Sequence, residues 1–301
     1  MPTKIEWTDE TWPVVTGCTA CSIGCTNCYA ARMAATRLRD HPRYAGLATF
    51  SDGKAKWTGE VRLNYDVLEQ PLHWKKPRRV FVCSMSDLFH ESIDEDFLID
   101  VFVRMGEAHQ HTFQILTKRP AKMYDFISRS TWGMSPLSNV HLGVSVENQA
   151  AADERREYLR QCPAAVKFVS YEPALGPVDW TGWEFVDQII SGGESGPGAR
   201  PSHPDWHRAT RDFCQANDIA YFFKQWGAYL GIDYLGAPSP VGAWGKPAWF
   251  RADGLYTRIG KKPDVDFGDG HGAVRIGKNR AGHLLDGKEW QEFPAGAGVD
   301  I

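Results

Sequence analysis

The sequence predicts an α/β fold, a full or partial (β/α) barrel followed by a small β-rich C-terminal extension, and three observations lead there. Short apolar, β-branched or aromatic runs recur between residues 80 and 223, and the segments between them carry apolar residues at helical spacing. That alternation marks repeated strand–helix units on a parallel sheet. After Tyr229 the composition changes to Gly, Pro, Trp and short strand-like pieces, which divides the chain into residues 1–228 and 229–301.

Strands are expected at 12–15, weakly at 61–64, and then at 80–82, 113–116, 140–146, 166–170, 186–191 and 219–223, up to eight in all. Helices are expected at 29–40, 94–108, 120–128, 149–160 and 205–216. The clearest is 94–108, where Phe97, Leu98, Val101, Phe102 and Met105 share a face behind acidic residues suited to a first turn. Parallel strands in this number close naturally as a barrel. In the extension, Asp253-Gly254, Asp269-Gly270 and Asp286-Gly287 mark turns.

With 301 residues, 43% hydrophobic and 24% charged, the chain has the apolar mass for a large core. No apolar run approaches the roughly 20 residues that span a bilayer, and the first residues lack a charged-then-apolar signal region. A cytoplasmic protein with no membrane partner is expected. The net charge of −3 argues against a globally basic surface but leaves room for a local basic groove. Four of the seven cysteines, Cys18, Cys21, Cys25 and Cys28, fall within eleven residues. In a reducing compartment such clustering favours a metal over disulfides. The scattered Cys83, Cys162 and Cys214 read as small buried hydrophobes.

In a parallel barrel the chemistry sits at the C-terminal strand ends, and here those positions are polar. Ser84, Ser86 and Asp87 follow the run at 80–82, offering acceptors for an amino group or, alternatively, a helix cap. Thr117, Lys118 and Arg119 follow the next run, and adjacent cations can clamp a carboxylate or phosphate. Ser145 and Glu147, two residues apart on a strand, share a face and can hold a ribose, unless Glu147 pairs with Lys118 instead. Glu172 precedes a strand-ending proline and is expected to point inward. Gly192, Gly193 and Glu194 open a Gly-rich run to Arg200 that permits close backbone approach to adenosine or phosphate. No Gly-Lys-Ser/Thr follows, so the run is not a P-loop. Lys224 ends the last run, placed to meet substrate or to balance Glu194.

Cys21, Cys25 and Cys28 read C-x3-C-x2-C, and thiolates are the usual ligands of iron–sulfur clusters. With this spacing the chain resembles the radical S-adenosylmethionine superfamily. Within it, the chain resembles a phage- and prophage-associated three-cysteine-motif family through the blocks TW-x-x-VTGC, GC-x-x-CYA, SMSDLFHE, TKRP, VSVEN, SYEP, GGESGPGARP, FFKQWG and LLDGKEW. The block order is also similar to the spore photoproduct lyase-type branch. The resemblance implies a [4Fe-4S] cluster on three thiolates, with one iron left open to chelate S-adenosyl-L-methionine. It implies reductive cleavage to a deoxyadenosyl radical that abstracts hydrogen from an unknown substrate. By the same resemblance Ser84, Ser86 and Asp87 would meet the methionine amino group. Lys118, Ser145, Glu147, Glu172, Gly192, Gly193 and Glu194 would line the adenosine or substrate side. The partners implied are an electron-donor protein and a substrate for which a nucleobase, nucleotide or nucleic acid fits the cations and aromatics.

Two positions depart from the superfamily. An aromatic residue usually precedes the last cysteine there, whereas this chain has Asn27, with Tyr29 after Cys28. The superfamily spacing selects Cys21 as the third ligand and the phage family's pattern selects Cys18, while Cys25 and Cys28 are common to both. The alternative is a nucleic-acid-binding protein without radical chemistry, its four cysteines holding zinc or its cluster serving structure only.

Overall fold

The apolar runs assemble, in the computed structural model of the chain, into one parallel sheet. The structure describes residues 3, 5–130, 136–234, 249–251, 256–257 and 263–294. The sheet holds β1 (Glu10–Trp12), β2 (Arg79–Val82), β3 (Thr112–Thr117), β4 (Val140–Ser145), β5 (Val166–Tyr171), β6 (Gln188–Gly192) and β7 (Ala220–Gln225). Spatial order follows chain order and every neighbouring pair is parallel, so β1 and β7 are free edges and the barrel is partial. Seven strands form it rather than eight. Pro13, which has no N–H for a ladder, ends β1, and the chain turns aside so that Val15–Thr16 pairs antiparallel with Arg62–Leu63. The strand expected at 61–64 is therefore outside the barrel, where Asn64 donates to the Pro13 carbonyl at 2.7 Å.

Helices α1 (Tyr29–Ala35), α2 (Glu95–Glu107), α3 (Pro120–Ser130), α4 (Gln149–Gln161) and α5 (Pro204–Ala216) connect the strands. Asp94 caps α2, accepting from the Phe97 N–H at 2.8 Å, and its apolar stripe buries Phe97, Leu98, Val101 and Met105. Alternation splits the sheet's side chains into two cores. Val80, Val82, Phe113, Ile115, Val140, Leu142 and Val144 join the core that also takes in the helices' apolar stripes. Phe81, Phe168, Ile190 and Phe222 gather with Trp7 and Phe293 in a separate cluster. Gly143 is required there, because a Cβ would stand 2.6 Å from the Phe168 ring. The helix expected at 29–40 stops at Ala35, and the chain then makes an antiparallel hairpin, Ala48–Ser51 with Lys54–Trp57. Its turn is Asp52-Gly53, both at positive φ, 51° and 74°.

From Tyr229 on, β8 (Tyr229–Tyr234), β9 (Trp249–Arg251), β10 (Tyr256–Thr257), β11 (Val265–Asp266) and β12 (His271–Arg275) form an antiparallel sheet in the order β10-β9-β8-β12-β11. The Asp253-Gly254 turn lies outside the described residues. Asp286-Gly287 turns the hairpin Leu284–Leu285 with Lys288–Glu289. The chain then returns to the barrel and lies along the free edge of β7: Phe223 N–H donates to the Trp290 carbonyl at 2.8 Å and Glu292 N–H to the Tyr221 carbonyl at 3.1 Å. Among the described residues no helix is long and apolar enough to cross a membrane.

Candidate functional site

The four clustered cysteines sit on the loop between β1 and α1, above the C-terminal ends of the strands. Ser22 shapes the loop by capping a single 3-10 turn, Ile23–Cys25, through its hydroxyl, which accepts from the Gly24 N–H at 3.2 Å. Cys28 caps α1, its sulfur accepting from the Ala31 N–H at 3.5 Å. The Cys21 thiol donates to Cys25, which holds the Cys25 thiol down to about 4 and pushes Cys21 well up. Burial pushes the Cys18 thiol up to about 12. Among the described residues, no three of these sulfurs come within 4.8 Å of one another. Cys83, Cys162 and Cys214 are buried, in line with their reading as hydrophobes.

Three carboxylates fasten this loop from three sides. Glu147, 0% exposed, accepts from Ser22 Oγ at 2.7 Å on one oxygen and from Arg155 Nη1 at 2.9 Å on the other, with Lys118 Nζ at 3.4 Å. Burial works to raise its pKa, but the Lys118 and Arg155 cations hold it below the usual carboxylate range. The loop passes so close that a Cβ on Gly24 would stand 2.5 Å from Glu147 Oε1. Asp87 accepts from Thr117 Oγ1 (2.7 Å), Phe89 N–H (3.0 Å), Lys118 N–H (3.1 Å) and Arg119 Nη1 (3.1 Å). Arg119 carries that anchor to the loop, donating to Thr19 Oγ1 at 2.7 Å, to the Thr19 carbonyl at 3.1 Å and to Cys18 Sγ at 3.8 Å. Glu194 binds Arg200 through both oxygens, at 2.6 and 2.9 Å, and accepts from Asn27 Nδ2 at 3.0 Å. Asn27 donates again to the Gly198 carbonyl at 2.8 Å, and Arg200 donates to the Ile23 carbonyl at 3.1 Å. Asn27 thus ties the cysteine loop to the Gly-rich run.

Below the loop lies a cavity of about 430 Å³. All four cysteines reach its wall, as do Ser84, Ser86, Asp87, Lys118, Ser145, Glu172, Gly193 and Glu194. Glu147 and Gly192 do not. Ser145 ends β4, but Glu147 lies beyond the strand end and turns to Arg155, so the two do not share a face toward the cavity. Gly192 is packed behind Glu172, where a Cβ would stand 3.3 Å from the carboxylate. Glu172 accepts from Lys224 Nζ at 2.8 Å and from Gln225 Nε2 at 3.0 Å, so Lys224 balances Glu172 rather than Glu194. Ser86 Oγ donates to the Val15 carbonyl at 2.6 Å, and the Tyr29 hydroxyl donates to the Ser84 carbonyl. Sequence reasoning missed the clamping role of Arg119, Arg155 and Asn27, and the presence of Trp57 and Lys278 at the cavity wall. The one signal for Asn27 was that it replaces an aromatic residue.

A family model described as "Protein of unknown function (DUF5131)" matches residues 2–294, and the chain belongs to that family. A solved structure of a spore photoproduct lyase mutant is similar at 14% identity and a TM-score of 0.35, over 60% of this chain and 55% of that one. The chain thus spans about half the length of that lyase. No curated protein matches.

Proposed function

We propose that the chain is a radical S-adenosylmethionine enzyme, with a [4Fe-4S] cluster on Cys25, Cys28 and one of Cys18 or Cys21. The observation that carries the reading is that the thiols and the polar strand ends meet in one cavity at the C-terminal end of a parallel partial barrel. Four thiols on one loop fit an iron–sulfur ligand set. The cavity also falls in the size range of small-molecule sites, about 300–1,000 Å³. When bound, the cluster and S-adenosyl-L-methionine supply one-electron chemistry that yields a deoxyadenosyl radical.

The chain's own residues position and shield. The Glu147, Asp87–Arg119 and Glu194–Arg200 clamps fix the cysteine loop against the strand ends. Ser84, Ser86, Lys118 and Ser145 offer polar groups for the cofactor's amino, carboxylate and ribose groups. The Glu172–Lys224 pair, partly exposed in the wall, is left for substrate. Trp57 and Lys278 at the same wall offer a stacking face and a cation, which favours a nucleobase, nucleotide or nucleic acid as substrate. The reading also calls for an electron-donor protein and a cytoplasmic setting.

Anaerobic reconstitution followed by dithionite and S-adenosyl-L-methionine tests it. Release of deoxyadenosine is the expected result; an intact reduced cluster that releases none, or bound zinc without iron, sinks the reading. Cys18→Ala and Cys21→Ala are expected to differ, only one abolishing cleavage. Complete loss from both points to a four-cysteine site.

A further inference from the structure

Away from the cavity, a second group of ligating side chains gathers where α5 meets the C-terminal sheet. His203 caps α5 and Asp205 lies in its first turn, while His271 begins β12. The two imidazoles stand 4.6 Å apart, ring centre to ring centre. Asp269 reaches both rings, 3.0 Å from His203 Nε2 and 3.2 Å from His271 Nδ1. On its other side His271 Nε2 stands 3.5 Å from Asp205 Oδ2 and 3.5 Å from Asp233 Oδ1. Carboxylates therefore face both nitrogens of His271, yet a neutral ring carries only one proton. Asp205, Asp233 and Asp286 share Arg208, and Arg211 serves Asp286 and Asp212, so that with Asp269 five carboxylates stand against two guanidinium groups.

We propose that His203, Asp205 and His271 bind a divalent transition-metal ion of the zinc type. Among the described residues they are the only trio of such side chains whose donor atoms all lie within 4.8 Å of one another. Zinc bonds of about 2.0–2.2 Å to nitrogen and oxygen place tetrahedral ligand atoms roughly 3.3–3.6 Å apart, which matches the His271–Asp205 spacing. Asp269, held at His271 Nδ1, orients that ring and leaves Nε2 for the ion, the usual carboxylate–histidine–metal relay. On binding at His203 Nε2, the proton shared there with Asp269 passes by way of solvent to Nδ1, and the bond that Nδ1 accepts from the Asp205 N–H is given up. Arg208 keeps Asp233 and the other oxygen of Asp205, and water takes the fourth position. The positive end of α5 opposes a cation, and the surplus of carboxylates outweighs it. The ion joins a barrel helix to the C-terminal sheet.

The test is titration of the full chain, with Cys18, Cys21, Cys25 and Cys28 all changed to Ser, by Zn2+ or Co2+ alone in a calorimeter. One equivalent is expected, weakened at least about tenfold by His271→Gln and by Asp205→Asn. No binding, or binding that both substitutions leave intact, overturns the proposal. If the serine variant does not fold, the unaltered chain is titrated with Co2+. A Co2+ spectrum free of thiolate charge transfer must then include a component that His271→Gln removes, and its persistence is equally fatal.

Discussion

The carboxylates that hold the cysteine loop and the polar groups left in the cavity wall look alike in the sequence, each following an apolar run. They differ in what surrounds them. All four acids have protein donors on both oxygens, but Asp87, Glu147 and Glu194 are buried, whereas the Glu172–Lys224 pair keeps its side chains 18% and 15% exposed. The difference teaches that an acid at a strand end of this barrel is as often part of the scaffold as part of the chemistry. Desolvation decides which. A buried carboxylate must be fully paired to be tolerated, and its burial leaves no face for a ligand.

The sharpest way to break this comparison is Glu147→Ala. It strands Arg155, whose side chain is 2% exposed, and should cost about 3–5 kcal/mol in urea unfolding. A loss under about 1 kcal/mol would place Glu147 with the exposed class. The same carboxylate has a pH signature. Its folded pKa is lowered, so its contribution is present above the unfolded value of about 4.3 and is lost as pH falls through the folded value. Glu147→Gln should therefore flatten the acid limb of the stability curve, and an unchanged limb would contradict the pairing.

Asp87→Asn comes next, at about 1.5–3 kcal/mol for a charged hydrogen-bond partner of Arg119, together with lower iron uptake on reconstitution. Gly24→Ala should cost about 1–3 kcal/mol by overpacking against Glu147, and it too should reduce iron loading. Glu172→Gln is the smallest in stability, within about 1 kcal/mol for a partly exposed pair. It should nonetheless lower cofactor cleavage or substrate turnover. Should it destabilise like Glu147→Ala while sparing activity, the distinction drawn above fails.

The sheet was legible because its strands are apolar runs bounded by polar ends, and six of its seven strands fall where those runs are. What misled was local. Pro13 cut the first strand short, and the pair Val15–Thr16 with Arg62–Leu63 has too little apolar length to belong to a barrel. The hairpin around Asp52-Gly53 was not expected, because the lysines that flank its turn mask a strand signal. The candidate site was legible as a set of positions, since its fourteen residues could be placed on strand ends or on the loop from the sequence, and the fold brings twelve of them, all but Glu147 and Gly192, to one cavity. Roles were not legible. Whether Asp87 meets a ligand or Arg119, and whether Glu147 meets a ribose or Arg155, depends on partners that only the tertiary fold supplies. His203 and His271 are 68 residues apart and carry no spacing motif, so nothing in the chain joined them.

The clamps on the cysteine loop also have an order in time. Asn27 and Glu194 are 167 residues apart, and Ser22 and Glu147 are 125 apart. At synthesis rates of about 5–20 residues per second, the thiols leave the ribosome roughly 8–30 s before Glu194 does. During translation the loop is therefore a tethered ligand set without a cage, and the fold shuts around it from the later strands inward.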